Sequence, residues 1–202
     1  MKKIAIHQTA APQLIAPLDS FDIEAPIKDC VKHFNKSVAV EEFIEGHTLR
    51  HLSLSSSSGF YFLYDAARRD INYAVQYSTV EIPAPPHETN PPCIKGARQV
   101  FVWRNRAADS AFSAGIADKV FWEYLMPKYG CLVSDSQQTD AGKAFWQHQI
   151  TKSLKKGLSV RLINLKTKEA KEIKTLKDFS DVLHTAWGKE PWFQNLIFAI
   201  HP

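Results

Sequence analysis

The stretch that decides the fold is "RNRAADSAFSAGIADKVFWEYL", Arg104 to Leu125. On its N-terminal side "RQVFVWRN" reads as a strand. On its C-terminal side Ala117, Val120, Phe121, Tyr124 and Leu125 recur at helical spacing, which predicts a helix closed by Pro127 and Gly130. The junction is made of Ser, Ala and Gly and lacks the chemistry of a hairpin turn. Small residues at a helix mouth let a ligand approach the backbone. The first four N–H groups of a helix have no partner inside it, and the dipole adds positive charge there. Such a mouth suits phosphate. Ser113, Ala114, Gly115, Ile116 and Ala117 would supply the amides, and Arg104, Arg106 or Lys119 would add charge. The competing reading is close helix packing alone.

Working outward, the strand signals lie mostly upstream. "TLRHLSLS", "FYFLYDA" and "INYAVQYSTVEI" are rich in β-branched and aromatic residues. Ile71, Tyr73, Val75, Tyr77 and Thr79 fall on one face of the third, as period two requires. The three read as an antiparallel meander. "PAPPHETNPP" holds five prolines between Pro83 and Pro92 and belongs to a loop, 83–96 at its widest. Upstream, a short strand is expected at Lys3–His7. A helix is expected from Pro26 through Ile27, Cys30, Val31, Phe34 and Val38, running on or breaking and resuming to about Ile44, with Gly46 as its stop.

Downstream, "CLVSD" is a short apolar strand. A helix starts at Thr139 or Asp140, carries Trp146, Ile150 and Leu154 on one side, and ends at Gly157. "LSVRLINL" is a strand, "KTKEAKEI" a turn and polar strand, "TLKDFSDVLHTAW" a helix and "QNLIFAIHP" a last strand. The expected class is α+β: a mixed, mostly antiparallel sheet flanked by helices, with one strand pair splayed apart, in a single domain over 1–202 whose residues 1–46 form an N-terminal strand and helical part.

Bulk properties exclude some classes. The formal net charge is +4 and the excess lies late, between Lys152 and Lys177. That is too little for a nucleic-acid stripe, and a solvated lysine face is the plain reading. No apolar run reaches the roughly 18 residues of a membrane span. The three cysteines, Cys30, Cys93 and Cys131, show no C-x-x-C pair, which argues against a metal site and fits a reducing cytoplasm. Cys131 reads as a small buried hydrophobe.

The order of elements resembles the GNAT family of N-acetyltransferases, from about Thr48 to Pro202. In that family a loop of pattern [Q/R]-x-x-G-x-[G/A] opens the helix after the fourth strand. "FSAGIA" matches its G-x-A part at Gly115, Ile116 and Ala117; Phe112 stands where Gln or Arg is usual. The resemblance implies acetyl- or acyl-coenzyme A as co-substrate, held by Ser113 to Ala117. Its pantetheine amides would pair along Val102, Trp103 and Arg104, and its thioester would lie between that strand and "CLVSD". It implies an amine acceptor, small molecule or protein. A proton acceptor and a donor to the thiolate are then needed. Asp135, Ser134, Glu81 and His148 are the candidates, with Tyr124 a further one that its apolar face assigns to the core. The alternative is a GNAT-like protein that binds without catalysing.

Overall fold

In the computed structural model, the described residues are 31–82, 95–105, 115–134, 140–187 and 195–202. The strand expected at Lys3–His7, the helix start at Pro26 and the proline loop fall outside them. The chain divides into two compact units: residues 1–76 with 101–116, and residues 77–100 with 117–202. The class is α+β, with a mixed and mostly antiparallel sheet.

The first unit holds β1 (Val38–Ile44), β2 (His47–Ser55), β3 (Ser58–Asp65), the start of β4 (Asp70–Glu81) and the end of β5 (Lys95–Arg104), neighbours in that order. β1 to β3 are antiparallel, with Leu49 opposite Leu63 and Leu52 opposite Phe60. The helix expected up to Ile44 is corrected here. Val31 and Lys32 are α-helical and Phe34–Lys36 form a 3-10 turn, but Val38–Ile44 is a strand paired with β2. The reason is local: Val38, Val40, Phe43 and Ile44 are β-branched or aromatic, and Gly46 (φ 75°) allows a tight return into β2. Arg50, Thr48 and Leu52 share a face with Phe62, Tyr64 and Phe60 by register. That face makes a core of Phe34, Leu52, Phe60, Phe62, Tyr64, Ile71 and Ala74, flanked by Val31 and Trp103. Phe34 meets Phe62 and Tyr64 at centroid distances of 5.6 and 5.0 Å. The buried Arg50 guanidinium lies over the Phe34 ring and donates to the Oγ and the carbonyl of Ser37 at 2.8 Å each.

The second unit carries the rest of β4 and β5, then β6 (Leu132–Val133), β9 (Leu196–His201), β7 (Ser159–Asn164) and β8 (Ala170–Ile173), again in neighbour order. β5 and β6 are parallel; the pairs β6–β9, β9–β7 and β7–β8 are antiparallel. Three helices complete the unit. Helix α1 (116–129) runs continuously through Ile116–Lys119, Val120–Leu125 and Met126–Tyr129. Its middle segment is a π-type wide turn, in which the N–H of Met126 donates to Phe121 O five residues back. Pro127 does not end this helix, contrary to expectation; Gly130, in the left-handed conformation, does. Proline lacks the N–H and crowds the carbonyl four residues back, and the wide turn just before it relaxes both demands.

Helices α2 (Asp140–Lys155) and α3 (Leu176–Trp187) follow the expected segments. One face of the sheet buries Ile82, Cys131, Val133, Ile163, Ile197 and Ala199. The alternate face presents Phe198 to Phe179 and Trp187 of α3, at 5.6 and 5.0 Å. α1 and α2 meet through Phe121, whose ring contacts Phe145 and Trp146 edge-on at 5.7 and 5.2 Å.

Candidate functional site

The candidate site is built on the parallel pair β5–β6. Its register holds at Ala97 with Leu132 and at Arg98 with Val133. β6 then ends at Val133, whereas β5 continues to Arg104. Among the described residues no strand follows β5 on that side beyond Arg98, so residues 99–104 extend past their parallel partner. In open sheets a ligand enters where neighbouring strands part at their carboxyl ends. Gly96 sets how closely the two strands approach. A Cβ there would lie 2.5 Å from Val133 Cγ2 and 3.2 Å from Cys131 Sγ.

The predicted residues divide between places. On β5, Val102 and Arg104 are exposed, and Trp103 packs against the first core. The N–H of Asn105 donates to Asn72 O, and the Arg104 charge acts on Tyr73. Burial pushes the Tyr73 phenol up to about 12 against the pull of the Arg104 charge. At the helix mouth, Gly115 is exposed in the left-handed conformation (φ 79°), with nothing within 4 Å of where a Cβ would stand. Ile116 is fully buried and Ala117 half-buried. Ser113 and Ala114 lie outside the described residues, as do Phe112, Arg106 and Asp135.

Ser134 follows β6 directly and is fully buried. Its Oγ accepts the N–H of Phe198 at 2.8 Å, and its own N–H donates to Phe198 O at 2.8 Å. Accepting that bond leaves the hydroxyl hydrogen free to donate elsewhere. Glu81 is exposed at the end of β4. His148 is exposed on α2. Tyr124 is half-buried.

Sequence reasoning missed a polar cluster joining α1 to α2. Trp122 Nε1 donates to Gln149 Oε1 at 2.7 Å, and Gln149 Nε2 donates to Asp118 Oδ1 at 3.0 Å. Lys152 Nζ donates to Asp118 Oδ2 at 2.6 Å. Lys152 and Lys156 both lie over the Trp122 ring, at 5.2 and 4.7 Å from its centroid. Burial pushes the Asp118 carboxyl up, but the bonds from Lys152 and Gln149, with the charges of Lys152 and His148, outweigh it and hold the group below its ordinary value. Gln149 and Lys152 fall three apart on one helix face, a weak signal in itself; the partner helix cannot be read from spacing.

Cys131 is buried, as expected, but it is also disulfide-bonded. The other cysteines, Cys30 and Cys93, lie outside the described residues.

Comparison with family models, with curated proteins and with solved structures finds no match for the chain.

Proposed function

We propose that the protein is an acyl-coenzyme A-dependent N-acyltransferase with GNAT-like topology. The observation that carries this is the parallel pair β5–β6, in which β6 ends after two residue pairs while β5 continues, with a helix between the two strands in sequence that is preceded by a left-handed glycine. The order β5, β6, β9, β7, with β9 and β7 antiparallel, agrees with it. The residues present fit the diphosphate of coenzyme A. Gly115 leaves space for it, Ala117 is small, and the first-turn amides of α1 point the positive end of the helix at that space. Residues 99–104 of β5, which have no partner strand on that side among the described residues, would offer backbone groups to the pantetheine amides as an added strand would.

The bound co-substrate supplies a thioester, and the chain supplies orientation and proton transfer. An acceptor amine held beside the acyl carbon attacks it, and the C–S bond breaks as the C–N bond forms. Proximity provides much of the rate. We assign Ser134, with its uncommitted hydroxyl hydrogen, to donating a hydrogen bond to the departing thiolate, which solvent protonates, and Asp135, next in sequence, to taking the amine proton. A second reading, binding without catalysis, draws on Phe112 in the loop and on the full burial of Ser134. The disulfide at Cys131 favours an oxidising compartment over the cytoplasm expected from sequence.

The test is ligand-dependent stability. Coenzyme A at about 100 times its Kd adds about 2.7 kcal/mol. A Gly115→Glu variant should fold and lose that gain, since the new carboxylate occupies the space meant for the diphosphate. Binding without acyl transfer to any amine would favour the second reading, and equal gains in both proteins would place the ligand elsewhere.

A further inference from the structure

Arg98 and His201 both belong to the second unit and have no part in the transferase reading. Strand pairing puts them on one face of the sheet. Arg98 is opposite Val133, Val133 is opposite Ala199, and Ala199 is opposite Arg161, a row that crosses β5, β6, β9 and β7. Paired residues share a face, and so do residues two apart on one strand. His201, two beyond Ala199 and opposite Ser159, therefore lies on the face of this row. The floor between them is apolar: Val133, Ala199, Ile197 and Ile163 are buried together.

A charge or a lone pair on such a floor costs free energy when nothing answers it. Arg98 is half-buried, its Nε is buried without a hydrogen-bond partner, and no acid among the described residues is ion-paired with it. Arg161, by contrast, has Glu172 opposite it on β8. His201 is only 7% exposed. Its Nδ1 lies 3.0 Å from Pro202 O, which can only accept, so Nδ1 carries the hydrogen and the neutral ring keeps a lone pair on Nε2. Nε2 is buried and has no partner. One end of this face lacks an anion and the other lacks a donor. Strand spacing and rise put the two Cα atoms about 12 Å apart, a gap that a ligand of about two to six carbons spans with a hydrogen bond at each end.

We propose that this face binds a short carboxylate that also bears a hydroxyl. The planar fork of Arg98 takes the carboxylate. His201 Nε2 accepts the hydroxyl hydrogen at the other end. The apolar floor suits a carbon chain with a single negative charge, since a second charge, as on phosphate, costs more to bury. Arg161, diagonal to His201, repels an ammonium there, which leaves the hydroxyl as the donor. The site lies where β6 ends beside β5 and goes beyond the transferase reading without needing any step of it.

The experiment is calorimetric titration of the full chain, at fixed ionic strength, with a series of short ω-hydroxy acids that starts at glycolate. Each is compared with the plain acid, the amino acid and the hydroxy amide of the same length. At least one hydroxy acid should bind about tenfold or more tighter than its amide, which lacks the charge, and about two- to tenfold tighter than its plain acid, which lacks the donor. Arg98→Met should erase the preference for acid over amide and keep the preference for hydroxyl. His201→Phe should do the reverse. Without any probe, Arg98→Met should unfold at or above the temperature of the parent, because it removes an unanswered charge and keeps the length of the side chain. A clear fall would mean that the protein itself holds Arg98, and would overturn the proposal. So would a series that does not bind, an amide that binds as well as its acid, an amino acid that binds tighter than the hydroxy acid, or variants that weaken every probe equally. No arm contains coenzyme A, so the outcome leaves the transferase reading where it stands.

Discussion

At the scale of single residues, Asp65 shows how a turn is built. Its Oδ1 accepts the N–H groups of Ala67 and Arg68 at 2.9 and 3.0 Å, closing the β3–β4 connection, where Arg69 has φ 52°. Its Oδ2 lies 3.6 Å from His47 Nε2 at the start of β2. Burial pushes the carboxyl up, but the two backbone bonds, the His47 charge and Asn72 together hold it below its ordinary value. A depressed folded value means the stabilisation is present above the unfolded pKa, about 3.9, and is lost as pH falls through the folded one. Asp65→Asn should therefore cost about 1–3 kcal/mol at neutral pH. The gap to the parent protein should close in acid, as read by urea midpoints at pH 7 and pH 3; an equal gap at both would refute the role. Gly96 is a second case. Gly96→Val forces Val133 and Cys131 away and should cost about 1–3 kcal/mol, seen as a lower denaturation midpoint. Neither role was legible in sequence. "YDAARRD" reads as a turn, but which groups Asp65 would serve depends on how β2 pairs with β3.

At the scale of elements, the strands of the meander, the last two helices and β7 to β9 follow from periodicity, because each buries a whole face with the right repeat. Two misreadings have physical causes. Val31, Phe34 and Val38 fit a helical spacing, yet Val38 to Ile44 gain more by pairing with β2, and tertiary pairing overrides a short local pattern. Pro127 reads as a stop because an ordinary helix cannot hold it, whereas a wide turn can. Aromatic packing between α1 and α2 was hidden too, since Phe121, Phe145 and Trp146 sit on separate segments. Phe121 is almost wholly buried against Trp122, Phe145 and Trp146. Phe121→Ala should cost about 3–5 kcal/mol in equilibrium unfolding. A loss under about 1 kcal/mol would mean the two helices do not depend on it.

At the scale of the whole molecule, composition excluded more than it revealed. No helix among the described residues is long and apolar enough to cross a membrane. The late lysines are interleaved with acids, Lys171 with Glu169 and Glu172, and Lys177 with Asp178 and Asp181, so they make no continuous basic stripe. The disulfide could not be read from an odd cysteine count. Three cysteines less the two joined leave one, so thiol titration in denaturant should find one free thiol before reduction and three after. Finding three before reduction would contradict the bond. The parallel pair and its helix were legible because strand, small-residue junction, helix and short strand stand in order from Arg98 to Asp135. The proton-transfer groups were not, since that order fixes where a site opens and leaves its side chains unspecified. The most direct measurement is the unfolding temperature of the parent and of Gly115→Glu with and without millimolar coenzyme A. A clear rise in the parent and none in the variant is the expected result; no rise in the parent, or the same rise in both, would contradict a diphosphate held at the mouth of α1.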